Sequence, residues 1–107
     1  MKLIPFLLFF LPLYGGVVRI HNDSDFDLTA TIHSASGNPL GTIALPKETK
    51  GIWEQEKMDT SHASQTPYSV VFLCKGGSIY GTIDDVAEGA FISVREAKGV
   101  CYCDGSK

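Results

Sequence analysis

The chain has 107 residues, 9 Lys plus Arg against 12 Asp plus Glu, a formal net charge of −3 and 44% hydrophobic residues. That length holds one domain with a modest core. No basic cluster occurs along it, which argues against nucleic acid and anionic lipid surfaces as partners, and the mild acidity favours solubility without selecting a partner.

Met1-Lys2 followed by the apolar run Leu3–Leu13 reads as a secretory signal peptide: a cation, then an apolar stretch of the usual length of about 7–15 residues. At about 1.5 Å per residue such a stretch is short of a hydrocarbon core about 30 Å thick, and Pro5 and Pro12 interrupt it. Gly15 and Gly16 are the small residues a signal peptidase needs, so cleavage is expected near Gly15–Gly16. No Cys lies near that site, which excludes a lipoprotein anchor. The expected organisation is a signal peptide over 1–16 and a single domain over 17–107, secreted or periplasmic, meeting the membrane only through the signal segment during export.

The segment Gly16–His21 predicts a first strand, with Val18 and Ile20 on one face. Asn22-Asp-Ser-Asp25 is a turn whose side chains bond the local backbone. The pattern Val18-x-Ile20-x-Asn22-x-Ser24 resembles the first strand and turn of many exported β-sandwiches, and the resemblance implies no function. Phe26–Ser34 predicts a second strand in which Phe26, Leu28, Ala30 and Ile32 alternate with Asp27, Thr29, Thr31 and His33. Ser36–Pro39 turns the chain into a third strand at Leu40–Leu45, and Ile52-Trp53 begins a short fourth.

Glu54–Thr66 is polar and lacks apolar periodicity, so it reads as a loop with one helical turn near Glu54–Met58. Loops of this length in small domains are functional or, more commonly, mobile; the functional reading makes Trp53, Met58 and His62 the expected contact residues. Pro67–Cys74 is apolar on both faces and predicts a central strand covered on both sides. After a Gly76-Gly77 turn, Ser78–Ile83 is the next strand, with a turn at Asp84-Asp85. Ala90–Arg95 and Val100–Cys103 then form a last hairpin around Ala97-Lys98-Gly99. About six to eight short strands with no helix of normal length predict an all-β fold: a small antiparallel β-sandwich of immunoglobulin-like, Greek-key type, or alternatively a small β-barrel.

Export places the three cysteines in an oxidising compartment, where one disulfide forms and one thiol is left over. In an extended Cys101-Tyr-Cys103 the two Cα atoms are about 6.5–7 Å apart, at the limit for a relaxed bond. Cys74 paired with Cys101 or Cys103 is therefore the expected staple. The alternative is a thiolate site for Cu(I) or Zn built on Cys101, Cys103 and Cys74 with one of His21, His33 or His62.

Asp23-x-Asp25-x-Asp27 begins like a calcium loop. It has Leu28 where such a loop needs Gly and Ser34 where it needs a bidentate Glu, so a turn is expected instead. Asn22-Asp23-Ser24 matches an N-glycosylation sequon. Ser61-His62 lacks a nucleophile elbow, neighbouring Asp84 and Asp85 point apart, and the glycine pair precedes no helix. No enzyme activity and no cofactor are expected. The expected function is that of a binding or structural module for a protein or small-molecule ligand. A thiolate metal-binding protein and a secreted effector-like domain are the alternatives.

Overall fold

The computed structural model describes residues 16–55 and 66–104. They form seven strands: β1 (Val17–His21), β2 (Leu28–His33), β3 (Pro39–Leu45), β4 (Lys50–Glu54), β5 (Tyr68–Cys74), β6 (Ile79–Val86) and β7 (Phe91–Ser93), followed by a 3-10 turn at Val94–Glu96. Two sheets result, of order β4-β1-β7 and β3-β2-β5-β6. Every pairing is antiparallel except β1 with β7, which is parallel. The sheets pack face to face as a sandwich, as the strand alternation predicts.

Alternation builds the core. One face of each sheet supplies Val18, Ile20, Trp53 and Ile92; the other supplies Leu28, Ala30, Ile32, Leu45, Val70 and Phe72, all buried. Burying such a side chain contributes about 1.5–3 kcal/mol, and the two inward faces cover each other. Trp53 and Tyr68 meet edge to face, 5.5 Å between ring centres, where the two sheets touch. Gly41 leaves room for the Trp53 indole, which a Cβ there would strike.

β5 is central, between β2 and β6. Its second face differs from the expectation. Tyr68, Val70, Phe72 and Cys74 are buried, but Ser69, Val71 and Leu73 are only half-buried, because among the described residues no layer lies over the outside of the four-stranded sheet. They are shielded sideways by Thr31 and Thr29 of β2 and by Thr82 and Ile79 of β6.

The C-terminal third also departs from expectation. β6 does not turn at Asp84-Asp85 but runs on to Val86, with Asp85 at φ 59° absorbing a register shift against β5. Val100–Cys103 is not a returning strand. Ser93 passes into the 3-10 turn, which buries Val94, and the following segment bonds to β6 instead: Thr82 and Lys98 exchange both backbone hydrogen bonds at 2.9 Å, and Cys101 N donates to Tyr80 O. Gly81 permits this approach, since its missing Cβ would lie 2.9 Å from the Ala97 Cβ and 3.1 Å from Lys98 O.

Asn22 closes one end of the sandwich. It is fully buried, its Nδ2 donating to Phe26 O and to Leu45 O while its Oδ1 accepts from the backbone and hydroxyl of Ser24. Its backbone bonds Thr49 O and the Glu48 amide. One side chain thus joins the β1–β2 turn to the β3–β4 turn, satisfying carbonyls that are costly to bury unpaired.

Candidate contact face

The pairing of β4, β1 and β7 sets an ordered row of side chains on the outside of the smaller sheet. Arg19 lies opposite Ile52 on one side and opposite Phe91 on the other. All three are exposed, Ile52 at 58% and Phe91 at 59%. Their neighbours in sequence, Val18, Ile20, Trp53 and Ile92, point into the core, so the period of two that builds the sandwich also forces this row outward. The flanking rows pair His21 with Lys50 and Ser93, and Val17 with Glu54. Arg95, with a side chain 74% exposed, follows just beyond Ser93; its Nε lies 3.0 Å from the Asp23 carboxylate.

The row has the chemistry of a contact surface: a guanidinium with five donors, held between an aromatic ring and a branched aliphatic chain. Arg and aromatic residues are the types enriched where proteins meet. Lys50 flanks the row on one side and Glu54 on the other, and Arg95 is paired with Asp23. Sequence reasoning missed it. The signal lay in Arg19, Ile52 and Phe91 each occupying the outward position of a strand, but their alignment depends on strand order.

Of the three expected contact residues, Trp53 is the one among the described residues. Trp53 is in the core, 5% exposed, against Tyr68. Met58, His62 and the helical turn near Glu54–Met58 extend into positions 56–65, outside the described residues, as does the Ser61-His62 pair. Among the aromatics, Trp53, Tyr68 and Tyr80 are buried, while Phe91 and Tyr102 are exposed. Tyr102 still leans on Phe26, edge to face at 5.4 Å, and Phe26 on Tyr80 at 5.9 Å. Burial raises the Tyr68 and Tyr80 hydroxyl pKa values, with Glu88 adding to the first and Cys101, Asp23 and Asp25 to the second against a lowering hydrogen bond from Ser24.

Cys74 is bonded to Cys103, with the Cα atoms 5.6 Å apart, and Cys101 is the remaining thiol. The bond ties the C-terminal segment to the end of the central strand. It also takes two of the three thiolates that a Cu(I) or Zn site would have used, and Cys101 Sγ faces Ala97 O at 3.4 Å. Among the described residues no three His, Cys, Asp or Glu side chains converge on a metal position. A disulfide is consistent with an oxidising extracellular or periplasmic location, and among the described residues no helix is long and apolar enough to cross a membrane.

The aspartates of the Asp23-x-Asp25-x-Asp27 run diverge. Asp23 receives the Arg95 backbone and side chain, and Asp27 receives the Lys47 amide at 2.9 Å. The sequon at Asn22 is occupied by structure: both Nδ2 hydrogens are already donated inside a site with no exposure, leaving no room for a sugar on the folded chain. Compared with known proteins, the chain matches no family model, no curated protein and no solved structure.

Proposed function

We propose that this chain is an exported β-sandwich that acts as a non-catalytic binding module in the periplasm or outside the cell, using the Ile52–Arg19–Phe91 row to contact a protein partner. The observation that carries the reading is the exposed cross-strand alignment of an apolar, a cationic and an aromatic side chain on a rigid sheet. A partner suited to it presents a carboxylate flanked by apolar groups, since Arg19 can bind a carboxylate through two parallel hydrogen bonds while Ile52 and Phe91 exclude water around them. Export by the Met1–Gly16 segment and oxidation of Cys74 with Cys103 belong to the same reading.

Intact mass of the protein from an exporting host tests the first half: loss of the segment ending near Gly15–Gly16, one alkylatable thiol and one blocked pair are expected. For the second half, wild-type protein and the Arg19→Glu and Phe91→Ser variants are cross-linked in the extracytoplasmic fraction of the source cells. A partner captured by wild type and lost from both folded variants supports the face. Capture unchanged by either substitution overturns it.

A further inference from the structure

A sandwich of two open sheets has four edges, and three of them are guarded. The outer edge of β6 is capped by the 98–101 segment through Thr82, Lys98, Cys101 and Tyr80. β7 is three residues long and passes at once into the 3-10 turn. β4 carries exposed Lys50 and Glu54 at its two ends. β3 is different. It is seven residues long, has no charged side chain, and pairs only with β2 among the described residues. β4 packs on its inner side, Trp53 against Gly41 and Gly51 against Leu45 and Ile43, without joining its ladder. Edge strands ordinarily avoid joining other chains by charge, bulge, proline or brevity; here only Pro39 and the irregularity at Ile32/His33 serve, and both lie at one end.

The strand's own sequence fits a copy of itself. Antiparallel pairing about a two-fold axis at Thr42 sets Gly41 opposite Ile43 of the second copy and Leu40 opposite Ala44 of the second copy, a small residue against a large one each time. No like charges meet across the axis, and Thr42 and Ala44 are exposed, small and compatible with a strand. Beside the edge, the outward rows Thr42–Thr31–Val71–Thr82 and Ala44–Thr29–Leu73–Ile79 are free of charge as well, so a joined sheet continues one neutral face across both copies. We propose that β3 is a self-pairing edge through which two copies of this chain join their four-stranded sheets into one of eight strands. This surface is on the opposite sheet from the Arg19 row and does not depend on the function proposed for that row.

The test is sedimentation of the purified, oxidised protein from micromolar to millimolar concentration. The weight-average mass is expected to rise to that of a dimer and stop there, because a two-fold contact closes on itself. Thr42→Lys sets two ammonium groups opposite each other at the axis and is expected to raise the dimer dissociation constant at least about tenfold; Thr42→Val is expected to keep it. Circular dichroism establishes that each variant is folded. If Thr42→Lys fails to fold, hydrogen exchange on wild type decides: β3 amides gain protection with concentration, and those of β4 and β7 do not. A monomer at millimolar concentration, assembly beyond the dimer, a dimer unmoved by a folded Thr42→Lys, or protection elsewhere than β3 overturns the proposal.

Discussion

The Asn22 side chain donates to the Leu45 carbonyl at 2.7 Å, a contact between residues 23 positions apart that locks two turns at one end of the sandwich. Leu45 is itself fully buried, so its carbonyl has no water to turn to. Asn22→Ala therefore removes the bonds to Leu45, Phe26 and Ser24 together and is expected to cost about 2–4 kcal/mol, read as a fall in the urea midpoint at unchanged slope. Asn22→Asp is expected to be no better, since a carboxylate cannot donate to the two carbonyls.

The same bonding predicts the fate of the sequon. Folded protein secreted from a eukaryotic host is expected to have the mass of the bare chain. A glycan on Asn22 of a folded, disulfide-bonded protein contradicts the burial described here.

Removing the staple and removing the odd thiol differ in consequence. Cys103→Ser opens a loop spanning a sequence separation of 29 and is expected to cost about 3–4 kcal/mol in the chain-entropy account. Cys101→Ser leaves that bond in place and is expected to change stability by less than about 1 kcal/mol. Cys101→Gly is expected to stabilise slightly, because Cys101 has φ 54°, a left-handed conformation that glycine enters without strain. Thermal melts of the three oxidised variants check the order.

Gly81→Ala drives a methyl group against Ala97 and the Lys98 carbonyl, of which the second is backbone and can yield only by moving the segment that caps β6. A loss of about 1–3 kcal/mol is expected, with faster hydrogen exchange at Lys98 and Cys101 while the β2–β5 amides keep their protection.

The two buried tyrosines make the fold sensitive to alkali. Each has a native pKa raised above the ordinary 10.0, chiefly by burial. A raised native pKa means the unfolded state releases its protons first, so this contribution is complete below pH 10 and is lost as pH rises through the native values. The urea midpoint is expected to fall above pH 10. Phenolate absorbance is expected to show the upward displacement of Tyr68 and Tyr80. Tyr68→Phe and Tyr80→Phe together are expected to flatten the decline.

Much of the sandwich was legible because a strand writes its two faces into alternate residues. Leu28, Ala30 and Ile32 against Thr29, Thr31 and His33 needed nothing beyond side-chain geometry, and the turns at Asn22–Asp25 and Gly76-Gly77 followed from residues that suit bent backbone. The errors fell where alternation leaves a choice. Val71 and Leu73 are apolar yet outward, because side-to-side contact with threonines is enough shelter for them. Trp53, read from sequence as the beginning of a strand and as a contact residue beside the loop, is held in the core by the space left at Gly41, a residue of another sheet. Val100 to Cys103 has strand-forming residues but follows a 3-10 turn that redirects it along β6.

By itself the sequence determined the all-β class, most of the strands and the need for one disulfide with one thiol left over, since these rest on local sterics, period and parity. Tertiary structure alone decided that Cys103 rather than Cys101 reaches Cys74, that Arg19 stands between Ile52 and Phe91, that Asn22 is a buried tie between two turns, and that β3 pairs with β2 alone among the described residues. Each of these is a distance between residues far apart in the chain. Such distances are set by which strands share a sheet and how the two sheets stack, and neither is encoded in the pattern of any single strand.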